Sequence, residues 1–209
     1  MINRKTLITI LIVIVIGLLL SKSCHFVPIE QAKAEAKGKE FNAKDYARKV
    51  WNEFMKKLDS ISSDASIVLE ALIENKEEAE KKYGKVVGFT YNTLFLIKGK
   101  GKIVSIDDEK VLIQVEKVDR EIYVSKDLIF GNDIVNSSGL VKMSDFDRIY
   151  DFNAVSNEIN NIVNTEVVPP FMDKVKIGRV IEFVGVLNIP KDEEIKFPLQ
   201  LLPVKLNVE

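Results

Sequence analysis

The chain has 209 residues with 30 basic and 31 acidic side chains, and 46% of its residues are hydrophobic. This composition supplies enough apolar side chains for a core and excludes a disordered chain, a collagen-like repeat and a multi-span membrane protein. Residues 24–209 carry 27 basic against 31 acidic side chains, so no nucleic-acid partner is expected. A single cysteine and a single histidine exclude an internal disulfide and a Cys/His zinc cluster.

Residues 1–23 have the pattern of an export signal. Arg4 and Lys5 precede an apolar run over residues 7–20 that is interrupted only by Thr9 and Gly17. As a helix, the uncharged positions 6–21 would span about 24 Å, which is less than the ~30 Å hydrocarbon core of a bilayer. A cleaved signal therefore fits the sequence better than a permanent membrane span.

Cys24 stands where this signal ends, as in bacterial lipoproteins, whose cleavage box ends in the cysteine that receives lipid. Ser23 suits the position before the cleavage point, whereas Ser21 and Lys22 depart from the usual box. A lipid-modified Cys24 is the first expectation; an uncleaved signal anchor, or neither, is the alternative. The first two place the folded part outside the cytoplasm, joined to the membrane by a tether over residues 24–40.

Residues 41–209 are predicted to form one α+β domain, with a helical part over residues 41–84 and a barrel-like part over residues 89–209. Apolar residues recur at spacings of three and four over residues 42–58, and Asn42 is a good N-cap. A second helix is predicted to begin near Ser63 or Asp64, and a third covers residues 77–83 and is closed by Gly84. Trp51 is expected to be at least half buried where these helices meet the sheet.

From residue 89 onward the hydrophobic period is that of strands. The predicted elements are, in order, strands over residues 93–107, 110–118 and 120–128, a loop over 131–139, a helix over 144–168 ended by Pro169 and Pro170, and strands over 179–189 and 199–208. Gly99 and Gly101 indicate a bulge or bend in the first strand. This order predicts an OB-like five-stranded antiparallel barrel or sheet, with N-terminal helices and a helical insertion before the last two strands. A plain α+β sandwich has the same order.

A series of short motifs in the chain resembles the uncharacterised bacterial family DUF2291. They are Cys24 to Pro28, Phe41 to Ala43 with Trp51, Lys82 to Gly84, Gly99 to Val104, Asp145 and Phe146 with Ile149 and Phe152, Val155 to Asn157, Ile159 and Asn160, Gly185, and Pro203 to Leu206. The resemblance implies an exported, membrane-tethered lipoprotein of unknown activity. It also implies that the gene is often found beside components of sugar-type ABC transporters.

Searches for catalytic and metal-binding patterns are negative. The chain has no G-x-S-x-G elbow, no phosphate-binding loop and no paired cysteines or histidines, so no catalytic, cofactor-binding or metal-binding residue is predicted. His25 adjoins the tether cysteine, and the acids 107–109 and Asp145, Asp147 and Asp151 are interpreted as turn and helix-end residues. The aromatic side chains that could stack on a ligand are expected to belong mainly to the core: Tyr91, Phe95, Tyr123, Phe130, Tyr150 and Phe152.

Asparagines form the one unusual pattern in the predicted insertion helix. At about 100° per residue, Val155, Ile159, Ile162 and Val163 share one face, and the asparagines lie on the opposite side. Asparagine amides donate and accept hydrogen bonds without charge, which suits sugar hydroxyls or a polar protein surface. The candidate recognition residues are Asn132, Asn136, Asn153, Asn157, Asn160, Asn161 and Asn164. The competing interpretation is compositional bias, with this face contacting only water.

Three functional classes remain open. The first is a non-enzymatic extracytoplasmic binding or accessory module that acts with a sugar-type ABC transporter or binds a sugar. The second is a structural or envelope-interaction lipoprotein, and the third is a hydrolase or lyase that uses carboxylates alone. The tether and the lack of catalytic motifs favour the first class.

Overall fold

A computed structural model of the protein describes Asn3, residues 41–86 and residues 92–209. The domain begins with three helices. They are α1 (Ala43–Ile61), α2 (Ala65–Glu74) and α3 (Lys76–Tyr83). The side chain of Asn42 caps α1 by accepting the backbone N–H of Asp45 at 3.0 Å. The side chain of Asp64 caps α2, so the predicted starts of the first two helices are confirmed.

Gly84 ends α3, but its backbone is extended, with φ −84° and ψ 155°, and not left-handed as is usual for a capping glycine. Glycine is needed here for space. A Cβ atom would lie 2.3 Å from Cγ2 of Thr93 and 2.5 Å from the carbonyl oxygen of Glu80. Gly84 therefore lies where the end of α3 contacts β3 of the sheet.

Seven strands form one sheet in the described residues. They are β1 (Ser63–Asp64), β2 (Lys85–Val86), β3 (Asn92–Ile106), β4 (Lys110–Val115), β5 (Glu121–Ser125), β6 (Val180–Pro190) and β7 (Leu199–Val208). The five longer strands are those that the sequence predicts. The second and third end three residues early, because the chain turns away from the sheet after Val115 and Ser125.

The pairings β3–β4, β4–β5, β5–β7, β7–β6 and β6–β3 link these five strands in a ring. Four of the pairings are antiparallel, but β5 and β7 run parallel and share only the pairs Ile122 with Leu199 and Tyr123 with Gln200. The prediction of an all-antiparallel sheet is therefore wrong at this link. The fold is α+β with a mixed sheet.

Irregularities in the sheet let the strands curve. The sequence predicts a bulge or bend at Gly99 and Gly101, but the register of β3 against β4 shifts two residues beyond Gly101, between Ile103 and Ser105. Gly101 serves a different purpose, since a Cβ there would lie 2.5 Å from Cγ2 of Ile113. The register of β6 against β7 shifts between Val184 and Gly185.

The main core fills the ring of strands. Alternate residues of β4 and β5 are buried, such as Ile113 and Ile122, whereas β3 and β6, the latter of which contributes Phe183, each contain a run of five consecutive buried residues. Val68 and Leu69 of α2 and Phe171 of the insertion belong to the same cluster. Because α2 contributes directly to this core, residues 42–209 form one compact unit.

The helical insertion between β5 and β6 is longer and more broken than the predicted single helix. It consists of α4 (Asp133–Ser138), a 3₁₀ turn (Met143–Asp145), α5 (Ile149–Ile162), a π-helical turn (Val163–Val167) and α6 (Val168–Met172). The predicted loop over residues 131–139 thus contains a helix. Pro169 and Pro170 lie in the first turn of α6 and do not end the helix, because the first turn of a helix needs no backbone N–H from proline.

Helix α1 packs mainly against α5, whereas α2 packs on β3. The apolar stripe of α1 is Ala47, Trp51, Phe54 and Leu58. Trp51 is only 6% exposed, which confirms its predicted burial, but it borders the insertion near Val167 and the edge of β7. Within residues 41–86 and 92–209, no helix has the length and apolar composition to cross a membrane.

We predict that Trp51→Ala lowers the free energy of unfolding by about 3–5 kcal/mol, because it removes a buried ring that packs edge-on against Phe54 at 6.1 Å. Urea unfolding followed by circular dichroism measures the change. Trp51→Phe keeps an aromatic ring and should cost less than the alanine variant. A loss below about 1 kcal/mol for alanine would show that α1 is not part of the cooperative unit.

A second prediction concerns Asp64, whose carboxylate accepts the hydroxyl of Ser66 at 2.6 Å and its backbone N–H at 2.9 Å. The hydroxyl hydrogen bond is the main cause that lowers the pKa of Asp64, with smaller backbone contributions. A lowered folded-state pKa means that the carboxylate stabilises the fold above its unfolded pKa of about 3.9 and loses this effect as the pH falls through the folded value.

Asp64→Ala should therefore cost about 1 kcal/mol at neutral pH, and the difference from the native chain should shrink as the pH falls below about 4. Urea midpoints measured across this pH range test the expectation. Asp64→Asn is the control, because asparagine caps the helix without titrating. A difference that does not change with pH would contradict the assignment.

Candidate functional site

The asparagines of the insertion form a line along α5 and the following π-helical turn. Asn153, Asn157, Asn160 and Asn164 are separated by four, three and four residues, which places them on one side of the helix. The segment that follows β5, residues 129–132, lies along this line and makes side-chain hydrogen bonds to three of the four.

These bonds attach the segment to the helix at both ends. Asn164 accepts the backbone N–H of Ile129 at 3.0 Å and donates to its carbonyl oxygen at 3.2 Å. Asn160 donates to the carbonyl oxygen of Gly131 at 2.8 Å, and Asn132 donates to Oδ1 of Asn153 at 3.3 Å. We call Asn153, Asn160 and Asn164 with their partners the amide ladder. It supplies hydrogen-bond partners to the backbone groups of Ile129 and Gly131, which have no strand partner in the sheet.

The ladder changes the interpretation of the predicted asparagine surface. Asn160 is only 4% exposed and Asn164 is half-buried, so these two do not lie on an open face. Asn136 lies in α4 and Asn132 immediately before it, not in an open loop. Asn153, Asn157 and Asn161 are exposed. Of the predicted set, these three remain available to a partner, and their role in recognition stays a prediction.

Phe130 lies between the two residues whose backbones the ladder holds. Ile129 is buried beside it, while the ring of Phe130 is 75% exposed. Because the backbone is hydrogen-bonded at Ile129 and Gly131, the ring is directed outward from a fixed position. Among the other aromatic candidates, Phe95 and Phe152 are core residues as expected, Tyr123 is half-buried, Tyr150 is exposed, and Tyr91 lies outside the described residues.

Asn157 and Asn161 lie within one helical turn of the ladder and make no side-chain hydrogen bond to any residue that the structure describes. Together with Phe130 and Asn153 they form what we call the aromatic–amide surface. It combines one fixed apolar ring with amide groups that can donate and accept hydrogen bonds. The sequence pattern identified its amides but placed Phe130 among the expected core aromatics.

A separate feature is a cleft of about 440 Å³, which sequence reasoning did not detect. It lies where the start of α2 meets β3, β6 and the β4–β5 turn, and its charged lining residues come from distant parts of the chain: Asp59, Asp64, Lys98, Lys100, Glu116, Lys117, Glu182 and Lys205. Four cations and four anions line it. The single glycine of the lining, Gly99, allows Ala65 of α2 to approach β3 closely.

Three titratable groups at this cleft, Lys100, Glu182 and Asp64, are held in their charged forms by hydrogen bonds. Lys100 bonds to Glu209 and, at 2.9 Å, to Glu182, and these hydrogen bonds raise the pKa of Lys100. The hydrogen bond to Lys100 lowers the pKa of Glu182, and the Ser66 hydroxyl lowers that of Asp64. A general acid or base works best with a pKa near the ambient pH. The three groups are shifted away from that range.

Hydrogen bonds show that Asp107, Asp145 and Asp151 lie at turns and helix ends, as the sequence predicts. Asp107 accepts the backbone N–H groups of Glu109 and Lys110, which lower its pKa. Asp145 accepts the N–H of Lys142, and Asp151 accepts two bonds from Arg148 at 2.8 Å. In residues 41–86 and 92–209, no three histidine, cysteine or acidic side chains are grouped to hold a metal ion. Cys24 and His25 lie outside the described residues.

Comparison with solved structures identifies the fold. A protein from Thermotoga maritima, whose 1.90 Å crystal structure is described as an OB-fold protein, is 39% identical to this chain with a TM-score of 0.74. The match covers 82% of this chain and 100% of that one. The predicted OB-like architecture is therefore confirmed. No curated protein matches the chain.

The family comparison agrees with the structural one. The model of DUF2291, a family described as a predicted periplasmic lipoprotein, matches residues 13–207, which is most of the chain. The protein is accordingly extracytoplasmic and tethered to the membrane. On the combined similarity of sequence and fold, the chain belongs to the DUF2291 family of predicted periplasmic lipoproteins.

Proposed function

We propose that the protein is a non-enzymatic binding module, held outside the cytoplasm at the membrane, whose aromatic–amide surface binds a sugar. The observation that carries the proposal is the ring of Phe130, which is 75% exposed although the backbone on both sides is fixed by Asn160 and Asn164. A solvent-exposed phenylalanine contributes nothing to the core. Its fixed position instead provides a flat apolar platform.

The chemistry of this surface suits a neutral polyhydroxylated ligand. An aromatic ring can pack against the C–H face of a sugar ring, and the amides of Asn157 and Asn161 can each donate to and accept from hydroxyl groups. These amides carry no charge, so they do not select an ionic ligand. The hydrogen-bonded backbone at Ile129 and Gly131 also lowers the ordering cost of binding, because this segment loses little backbone freedom when the ligand arrives.

The charged cleft supports the non-enzymatic part of the proposal. Lys100 and Glu182 pair with each other, and Asp64 is engaged in capping α2. Their pKa values are shifted in the directions that stabilise charge, so none of these three is tuned for proton transfer near neutral pH. Such a cleft fits ion pairing within the fold better than hydrolysis by a carboxylate pair.

The proposed partner of this membrane-tethered sugar-binding module is a sugar-type ABC transporter. The proposed partnership rests on the tether, which would hold this protein beside a transporter in the same membrane. Tethering raises the effective concentration of one component for the other, so that weak contacts suffice. A transporter component would collect the sugar that the module retains near the membrane surface.

We expect Phe130→Ala to weaken sugar binding by at least about tenfold, or roughly 1.4 kcal/mol, while leaving the thermal midpoint unchanged. Isothermal titration with glucose, galactose, ribose and xylose identifies the ligand and then measures the change. The double variant Asn157→Ala and Asn161→Ala should also reduce affinity, since both amides are exposed.

Ile177→Ala is the matched control, because Ile177 is an equally isolated apolar side chain with 67% exposure on another part of the domain. It should leave affinity unchanged. Asn164→Ala should lower both stability and affinity, because it releases the backbone of Ile129. Undiminished binding in Phe130→Ala, or no binding of any of the four sugars by the native chain, would contradict the proposal.

The anchoring residue gives a separate prediction. Mass measurement of the mature protein from membranes should show an N-terminal Cys24 that carries two or three acyl chains, and Cys24→Ala should release or mislocalise the protein. An intact Met1 would instead indicate the uncleaved anchor. A mature N-terminus at another residue would exclude lipid attachment at Cys24.

A further inference from the structure

Strand β7 has one side along which the sheet is only partly paired. On its first side, β7 pairs with β6 over residues 201–208. On its second side, β5 pairs only with Leu199 and Gln200, at the start of the strand. Beyond Gln200, no strand in the part of the chain that the structure describes pairs with this second side. The rest of β7 is therefore a free edge of the sheet.

The hydrogen bonds of β7 show which backbone groups lie on the free edge. Glu209 donates its backbone N–H to the carbonyl oxygen of Val180 at 3.0 Å, on the β6 side. Hydrogen-bonded and non-hydrogen-bonded residues alternate along an antiparallel pair. The backbone groups of Asn207 therefore also face β6, whereas those of Leu206 and Val208 face away from it. These outward groups form no hydrogen bond with any described residue.

A groove of about 590 Å³ runs along this edge. Its lining includes five consecutive residues of β7, residues 204–208. One face of a strand presents only alternate residues, so a consecutive lining indicates that the groove follows the edge. The remaining lining residues come from α1, the π-helical turn and the chain from α6 onward: Trp51, Met55, Glu166, Val167, Pro170, Phe171 and Lys174.

Trp51 adds a free hydrogen-bond donor to the groove. Its side chain is only 6% exposed, yet its indole N–H donates to no described residue. The buried side-chain polar atoms that lack a partner among the described residues are Oε1 of Glu80 and Oδ1 of Asn188. The indole nitrogen is therefore still open to the groove that Trp51 lines. A tryptophan N–H that is this close to burial usually has a partner.

The charged residues that line the groove leave it positive. One acid lines it, Glu166, and this carboxylate forms a salt bridge with Arg48 at 2.5 Å. Two bases line it, Lys174 and Lys205, and neither forms a salt bridge with a described residue.

Acids near these two lysines lie outside the lining. Asp173 precedes Lys174 in the chain but does not line the groove. Glu182, whose pKa Lys205 helps to lower, is paired with Lys100 at 2.9 Å and also lies outside the lining. An acidic group that enters the groove would therefore meet two ammonium groups without a salt bridge.

We propose that this groove binds an extended segment of a partner protein, which adds a strand to the free edge of β7. The outward N–H and C=O groups of Leu206 and Val208 recur at every second residue, as the groups of a partner strand do. A sugar or a small anion has no such repeat, so the edge selects a polypeptide backbone. Lys174 and Lys205 favour an acidic residue in that segment. The proposal does not depend on sugar binding, because no residue of the aromatic–amide surface lines the groove.

Pro203 sets the length of the added strand. Proline has no N–H to donate, and the register of β7 against β6 shifts next to it, where Gly185 is its partner. The usable edge is therefore the part of β7 after Pro203. Pro203 also shows that this strand tolerates proline, which β-sheets accept mainly at edges and bulges.

The test uses the fluorescence of the full-length chain, whose single tryptophan, Trp51, lines the groove. The probes are two capped seven-residue peptides without aromatic residues, one of valine alternating with aspartate and one of valine alternating with lysine. We expect the acidic peptide to give a saturable change in Trp51 fluorescence. The basic peptide, and an N-methylated acidic peptide that cannot donate backbone hydrogen bonds, should bind at least about tenfold more weakly.

Two variants at one position isolate the backbone contribution. Leu206→Pro and Leu206→Ala both remove the half-buried leucine side chain, but only the proline variant also removes the outward N–H. Leu206→Pro should bind the acidic peptide at least about tenfold more weakly than Leu206→Ala, with a similar thermal midpoint, because the ladder with β6 does not use this N–H. Lys174→Glu should remove the preference for the acidic peptide, and this result does not require the proline variant to fold.

Four results would overturn the proposal. They are no saturable change with either peptide, equal affinity for the N-methylated peptide, equal affinity of the two Leu206 variants, and an unchanged peptide preference in Lys174→Glu. Sedimentation of the native chain covers the remaining occupant. Self-association that Leu206→Pro abolishes would assign the edge to a second copy of this chain and would overturn the proposal as well.

Discussion

The close approach of β3 to two neighbouring strands is the constraint on which the rest of the structure depends. Gly101 pairs with Val115 of β4 and with Ile181 of β6, so it lies where the sheet curves between two partners. A side chain there would meet Ile113 at 2.5 Å and the backbone of Gln114 at 2.7 Å. Two residues toward the N-terminus, Gly99 admits Ala65 and so allows α2 to cover the core. The ring of strands and its helical lid therefore both require that β3 present backbone, not side chain, at these points.

The amide ladder solves a different problem, which arises because the chain leaves the sheet after Ser125. Backbone groups of a segment that is buried without a strand partner must still be hydrogen-bonded. Asn164 supplies both a donor and an acceptor to Ile129, as a neighbouring strand would, and Asn160 supplies a donor to Gly131. Asparagine costs a helix about 0.6 kcal/mol relative to alanine, and a hydrogen bond to a buried backbone group returns about 1 kcal/mol. The asparagines of α5 that face the segment are thus explained by the fold itself.

The charged cleft and the aromatic–amide surface differ in whether their polar groups already have partners within the fold. At the cleft, Lys100 and Glu182 are already neutralised by each other, so a ligand would have to displace an existing ion pair. At the aromatic–amide surface, Asn157 and Asn161 have no such partner among the described residues, and binding a ligand would break no bond within the fold. Because a ligand would compete with existing bonds at the cleft but not at the surface around Phe130, we propose recognition at that surface.

Much of the architecture could be predicted from sequence alone. The β-branched run that contains Ile113 and Val115, the stripe of Trp51 and Phe54, and the caps Asn42 and Asp64 are local signals, because each depends only on residues that are close in the sequence. The export signal and Cys24 are equally local, and they located the protein at the membrane. Other features needed the tertiary structure: the parallel link of β5 to β7, the helix over Asp133–Ser138, the burial of Asn160, and the exposure of Phe130. Each of these depends on which distant segment lies alongside. A hydrophobic period reports the side of an element that is buried, but the partner of a given amide or ring is decided only when the chain has folded.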